Sequence, residues 1–180
     1  RLHRVGFGSF FFSRISREAF HLLFLNPPYL SVRNGSGGQS RHEKRFLIES
    51  IGHLTYGGLL VYVIPYYRLT PDICRILMDN FEALSVWRFN DGEFKRFKHV
   101  AVLGLRKRRE TEPPDTLWLE QYAVSPASIP SISDLPEHRY ALPAYPLEVT
   151  TFMGERFNQK ELEQQLKRSN SFQQLMARSE

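Results

Sequence analysis

Short apolar runs alternate with amphipathic segments over the first 109 residues, the pattern of a sheet with helices packed on its faces. Phe20 to Leu25 (FHLLFL) reads as a near-continuous apolar strand. Glu43 to Leu54 then places Phe46, Leu47, Ile51 and Leu54 at helical spacing. Leu59 to Ile64 (LLVYVI), behind Gly57 and Gly58, predicts a second buried strand. Strand, helix, strand implies a parallel crossover. Thr70, Pro71 and Asp72 form a helix start, with a hydroxyl cap, proline in the first helical position and an acid near the positive helix end. Ile73, Ile76, Leu77 and Phe81 supply that helix's buried stripe. Leu84 to Phe89 and Lys98 to Leu105 predict two more strands, separated by the turn signal Asn90-Asp91-Gly92. No crossover helix is evident in so short a connection, so these two strands are expected to be antiparallel neighbours. The expected fold class is α/β: parallel strands closed by an antiparallel hairpin.

The pattern changes after Arg109. Seven of the eleven prolines fall between Pro113 and Pro146, which predicts a proline-punctuated, extended linker over residues 110–144. Residues 145–180 read as a partial accessory region. There Tyr145 to Phe152 is a candidate strand, and Asn158 with Glu161 resembles a helix cap opening a helix through Leu162 and Leu166, interrupted at Ser169 to Ser171. Charge divides at the same place. Up to Arg109 there are 18 basic and 8 acidic residues, a net +10, and after it 6 basic against 11 acidic, a net −5. A front segment this basic suits a polyanionic partner, although it also serves as ordinary solvated surface.

Composition narrows the class further. With 42% hydrophobic and 24% charged residues, the chain is neither disordered throughout nor built around the ~18-residue apolar runs of membrane spans. The single cysteine, Cys74, excludes an internal disulfide framework and a zinc cluster built from this chain's thiols, which fits a reducing cytoplasm. Cys74 reads as a small buried apolar residue. None of the six histidines has ligand spacing; His42, His53 and His99 read as surface or core polar residues, and no metal is expected.

The chemistry concentrates in Asn26-Pro27-Pro28-Tyr29, directly after the first strong strand. Open α/β sheets bind ligands just beyond the carboxyl ends of their strands. With LLFLNPPY, the following glycine-rich segment and helix, GGLLVYVIP and FNDGEFKRFKHVAVLGLRK, the chain resembles the class I S-adenosylmethionine-dependent methyltransferases of the amino-group type. It is especially similar to the N6-adenine DNA methyltransferases that carry NPPY, and among them to a little-characterised methylase-like family of bacterial and mobile-element genomes. The resemblance covers about Gly8 to Arg109. It implies a Rossmann-like sheet, S-adenosyl-L-methionine as methyl donor, and the amino group of a flipped-out DNA adenine as acceptor.

The residues suit that chemistry. An exocyclic amine is a poor nucleophile because its lone pair is delocalised into the ring, so acceptors must hold its two hydrogens. By resemblance, the Asn26 side-chain oxygen and the Pro27 carbonyl are those acceptors, and Tyr29 stacks on the base. Pro27 and Pro28 have fixed φ and no amide hydrogens, which holds the carbonyl rigidly and adds no competing donor. Tyr66 and Tyr67, at the end of the next strand, are expected to form a wall of the same pocket or to pack as ordinary post-strand residues. Lys95, Arg96 and Lys98 interleave with Phe94 and Phe97, a pattern for phosphate contacts with a stacked or wedged aromatic, unless the phenylalanines are core. The segment Asn34 to Arg41 suits either a mobile element over substrate or a plain linker. Arg106 to Arg109 is a further candidate nucleic-acid contact, or a solvated strand end.

The cofactor side departs from the family pattern. Asn26, Ser9 and Phe10 are the cofactor-binding candidates, but Ser9 stands where the family places an acid, and no glycine-rich cofactor loop precedes Gly8. The expectation is therefore a carboxyl-terminal half of the domain. Its exposed sheet edge would need the missing half or a partner chain. Two other readings remain: a methyltransferase for a protein glutamine amide or an RNA base, and a non-catalytic nucleic-acid-binding remnant of the fold.

Overall fold

A computed structural model describes residues 5, 6, 8–28, 31–33, 39–108 and 114–154. In chain order the elements are β1 (Arg14–Ile15), β2 (Phe20–Leu25), β3 (Ser31–Arg33), β4 (Gln39–Arg41), α1 (His42–Ile51), β5 (Leu54–Pro65), α2 (Pro71–Asn80), β6 (Phe81–Arg88), α3 (Asp91–Phe97), β7 (His99–Arg106), α4 (Leu117–Val124) and β8 (Phe152–Met153). They fall into two compact units. The smaller, residues 1–15 and 151–180, contains β1 paired antiparallel with β8. The larger, residues 16–150, carries the central sheet.

That sheet has the order β2-β5-β7-β6. β2 and β5 are parallel, as the crossover predicts, and β7 is antiparallel to both β5 and β6. The expected antiparallel pair is present, but its second strand inserts between β5 and β6 instead of extending the sheet outward. The result is a mixed α/β sheet compatible with a methyltransferase-like fold. The core lies where α1 and α2 cover it, around Leu47, Leu54, Leu60, Tyr62, Ile64, Ile73, Leu77, Val100 and Val102. On β2, Leu22 and Phe24 stay 50% and 64% exposed, and among the described residues no strand pairs with the outer side of β2.

Several boundaries differ from the sequence expectation for identifiable reasons. α1 ends at Ile51, and Leu54 instead opens β5; a spacing of three buries a residue equally well after a tight turn. Gly57 and Gly58 do not precede β5 but lie within it. Gly57 takes φ +75°, and pairing slips so that Phe20 faces Leu54 while Leu22 faces Leu59, a bulge that glycine permits. A Cβ on Gly58 would meet Leu54 Cγ and the Thr55 carbonyl at 2.9 Å. Phe81 is buried, but as the first residue of β6 and not the last of α2. That strand begins before Leu84 because a register shift between Glu82 and Ser85, with Ala83 at φ +49°, absorbs the irregularity. At Thr70 the backbone carbonyl accepts from Cys74 N–H at 2.9 Å, while the hydroxyl makes no capping bond.

Asp91 to Phe97 forms the short helix α3, closed by Lys98 at φ +60°. In the glycine-rich segment, Gln39–Arg41 is not loop: it pairs antiparallel with Ser31–Arg33. The described part of residues 110–144 is not wholly extended either. It contains α4, whose Leu119 is fully buried against the main core, and it buries Ile129 in the same core. The prolines lie beside this helix and not inside it, which leaves its ladder intact. In the Tyr145 to Phe152 candidate strand only Phe152 is paired. Asn158, Glu161, Leu162, Leu166 and Ser169 to Ser171 lie outside the described residues.

Candidate functional site

β2, β5 and β6 all end, and β7 begins, at one edge of the central sheet, because β7 alone runs antiparallel to its neighbours. Asn26-Pro27-Pro28 leaves the sheet there. Leu25 pairs with Tyr62, which places Asn26 alongside the last residues of β5. Asn26 and Pro28 are exposed and Pro27 is buried. Two consecutive residues without N–H groups cannot continue the ladder, so the chain turns off the edge and the buried ring anchors the turn. Tyr29 lies outside the described residues.

The neighbouring turn, Tyr66 to Arg68, follows β5. Tyr66 N–H donates to the Lys98 carbonyl at 2.8 Å, which ties the end of β5 to the left-handed residue before β7. The Tyr66 ring lies 5.9 Å from Phe94 and 5.6 Å from Tyr67, the latter contact nearly perpendicular at 82°. Tyr67 is 52% exposed, and the Arg68 guanidinium lies 5.6 Å from its ring centroid. Phe94 packs on the main core, so of the two readings for this ring the structure favours anchoring over wedging. Arg88 pairs with Asp91 and lies 6.0 Å from the Phe94 centroid. Lys95, Arg96 and Lys98 are exposed on and just after α3, with Arg96 4.9 Å from the Phe97 ring.

Thus Asn26, Pro27, Pro28, Tyr66, Tyr67, Phe94, Lys95, Arg96 and Lys98 share one sheet edge. Arg106 to Arg108 do not. They lie at and just beyond the opposite end of β7, about 25 Å away for eight residues at ~3.3 Å each. There Arg106 faces Glu18 at 3.5 Å and lies over Tyr56, as does Arg108. Arg109 lies outside the described residues.

Sequence reasoning overlooked two features of the site edge. Phe89, Glu93, Phe97 and His99 line a cavity of about 260 Å³. The His99 ring stacks on Phe97 at 5.8 Å and 17°, and burial pushes its pKa below the ordinary 6.5. The aromatic spacing around α3 was the available signal, but it does not reveal that the chain folds back between β6 and β7. The second feature is the pair Glu43–Arg68, with Glu43 almost fully buried. A first-turn glutamate gives no hint of this in sequence, since acids there are ordinarily solvated. Among the other histidines, His53 Nδ1 meets the Ser16 carbonyl at 3.1 Å. Among the described residues no group of three or more His, Cys, Asp or Glu is placed to hold a metal ion.

Ser9 and Phe10 belong to the smaller unit. They line a cavity of about 150 Å³ with Gly6, Gly8, Ser13, Ile15, Phe152, Met153 and Gly154. Gly8 at φ +104° makes the turn. Ligand pockets span roughly 300–1,000 Å³, and among the described residues no charged side chain lines this one. Among the described residues this cavity lacks the ionic partners that the amino-acid end of S-adenosylmethionine requires.

One protein-family model, described as an uncharacterised methyltransferase family (DUF6094), matches residues 1–145 of the chain. No curated protein matches it.

Proposed function

The chain belongs to that methyltransferase family, and from this premise we propose that it presents the exocyclic amino group of adenine in DNA for methylation. The observation that carries the reading is the Asn26-Pro27-Pro28 turn at the ligand edge of the sheet, beside the aromatic turn that follows the adjoining parallel strand. The Asn26 side-chain oxygen and the Pro27 carbonyl accept the two amine hydrogens. Held in this way the nitrogen pyramidalises and its lone pair leaves the ring system. Tyr29 stacks on the flipped base, Tyr66 and Tyr67 wall the pocket, and Lys95, Arg96 and Lys98 take the backbone phosphates. These three cations share the edge with Asn26, which favours nucleic acid over a protein glutamine amide, although the same two acceptors would hold either.

A second reading, supported by the small size of the cavity beside Ser9, is a nucleic-acid-binding protein of this fold without turnover. One experiment separates the readings. The full chain is incubated with methyl-labelled S-adenosylmethionine and DNA, RNA or a glutamine-bearing protein, and binding of each acceptor is measured in parallel. The expected result is label on DNA adenine, reduced by about 10²–10³-fold in Asn26→Ala, as for loss of one preorganised hydrogen-bonding group. Label on glutamine or RNA would replace the acceptor assignment. Tight DNA binding without label would establish the non-catalytic reading.

A further inference from the structure

We propose that the ion pair between buried Glu43 and partly exposed Arg68 is a positioning device for the acceptor pocket: it fixes the Arg68 guanidinium over Tyr67 and so sets the ring against which the base lies. The inference rests on the acceptor reading above. Glu43, the second residue of α1, is 1% exposed, a degree of burial that glutamate seldom reaches without a partner. Its Oε1 faces Arg68 Nε at 3.2 Å. The two atoms meet as charges, without the alignment of a hydrogen bond. The first turn of α1 is itself held in place. Tyr62 Oη donates to the Glu43 carbonyl at 3.0 Å, and Lys44 Nζ reaches Asp72 at 2.7 Å, tying α1 to α2.

Arg68 is therefore anchored from below and presents its planar group 5.6 Å from the centre of Tyr67. Tyr66 meets the same ring edge-on at 5.6 Å. The rest of Tyr67 remains open, at 52% exposure. An ion pair with one buried member adds little net stability, because desolvation of that member offsets much of the attraction. What it does supply is direction: an otherwise exposed ring is held in one orientation before the ligand arrives, which removes an ordering cost from binding.

The test uses the full chain labelled with fluorotyrosine, with the Tyr67 resonance assigned by its loss in Tyr67→Phe. Three quantities are followed: that resonance, the melting temperature, and affinity for an adenine-containing single-stranded oligonucleotide. Arg68→Lys keeps a charge for Glu43 but loses the flat guanidinium that lies over the ring. It should melt like the parent, shift the Tyr67 resonance, and lose as much affinity as Tyr67→Ala, roughly 5- to 150-fold for one base–aromatic stack. Glu43→Gln should shift the same resonance and lose the same affinity. If Glu43→Gln melts too low to assay, Arg68→Lys carries the test alone. An unchanged resonance and affinity in folded Arg68→Lys would overturn the proposal. If instead Tyr67→Ala leaves affinity intact while Arg68→Lys moves the resonance, it is the assignment of Tyr67 to the acceptor pocket that falls.

Discussion

Truncating Leu119 to alanine should destabilise the larger unit as a core deletion does, even though the residue lies in the proline-punctuated segment. Leu119 is 0% exposed, and its helix α4 packs against α2 and the Tyr66–Arg68 turn. The substitution deletes the equivalent of three methylene groups, about 2.4 kcal/mol at ~0.8 kcal/mol each. The cavity left behind raises the total to about 3–4 kcal/mol. For a chain of this length that corresponds to a fall in Tm of about 10 °C, at ~2–4 °C per kcal/mol. The control is Leu117→Ala on the same helix, where the side chain is 72% exposed and the change should stay within ~0.5 kcal/mol. Both variants are compared with the parent by urea and thermal unfolding followed by circular dichroism. Equal stability of the two variants would refute the packing of α4 against the core and restore the segment to the status of a linker.

Two pH effects and one salt effect follow from the same geometry. Burial, with a smaller contribution from the Glu120 charge, raises the Cys74 thiol from 9.0 to about 12. The folded state thus favours the neutral thiol, so this contribution to stability is complete below pH 9.0 and declines as pH rises toward 12; iodoacetamide should label Cys74 only after unfolding. For His99 burial depresses the pKa, so its contribution is present above 6.5 and lost as pH falls through the lower folded value, a slope that His99→Gln should remove from acid unfolding curves. Neutralising Lys95, Arg96 or Lys98 to Gln should lower the slope of log affinity against log salt by about 0.7 each on single-stranded DNA, whereas Arg108→Gln at the opposite sheet end should leave it unchanged. A drop in slope with Arg108→Gln would contradict the separation of the two basic clusters.

The strong periodic elements were legible in the chain itself. FHLLFL and LLVYVI are near-continuous apolar runs, and parallel strands are commonly built of such runs. Pro71 with Asp72 marked the start of α2 because the missing proline N–H is harmless at that one place in a helix. Asn26-Pro27-Pro28 was legible as a site for the same local reason: two prolines stop a strand and fix a carbonyl, wherever the strand lies in the sheet. Boundaries were less readable. At Gly57 and at Ala83 the strands continue through bulges, since pairing across the sheet absorbs a local irregularity.

What only the tertiary structure decided is which residues meet. In sequence, Lys95, Arg96 and Lys98 and the run Arg106 to Arg109 stand in one net-positive segment, both as candidate nucleic-acid contacts. The antiparallel direction of β7 separates them, sending Lys95, Arg96 and Lys98 to the edge with Asn26 and Arg106 to Arg108 to the far end. Leu119 and Ile129 join the core because the sheet and α2 leave an apolar surface that a short helix can cover, although proline density around them signalled extension. Glu43 and Arg68, 25 positions apart, become an ion pair with the glutamate buried by the crossover from α1 to β5. Local sequence sets which backbone a segment prefers, through periodicity and the donors it lacks. Strand direction and burial against distant partners set which charges are shared, which are solvated, and which ring is held open at the ligand edge.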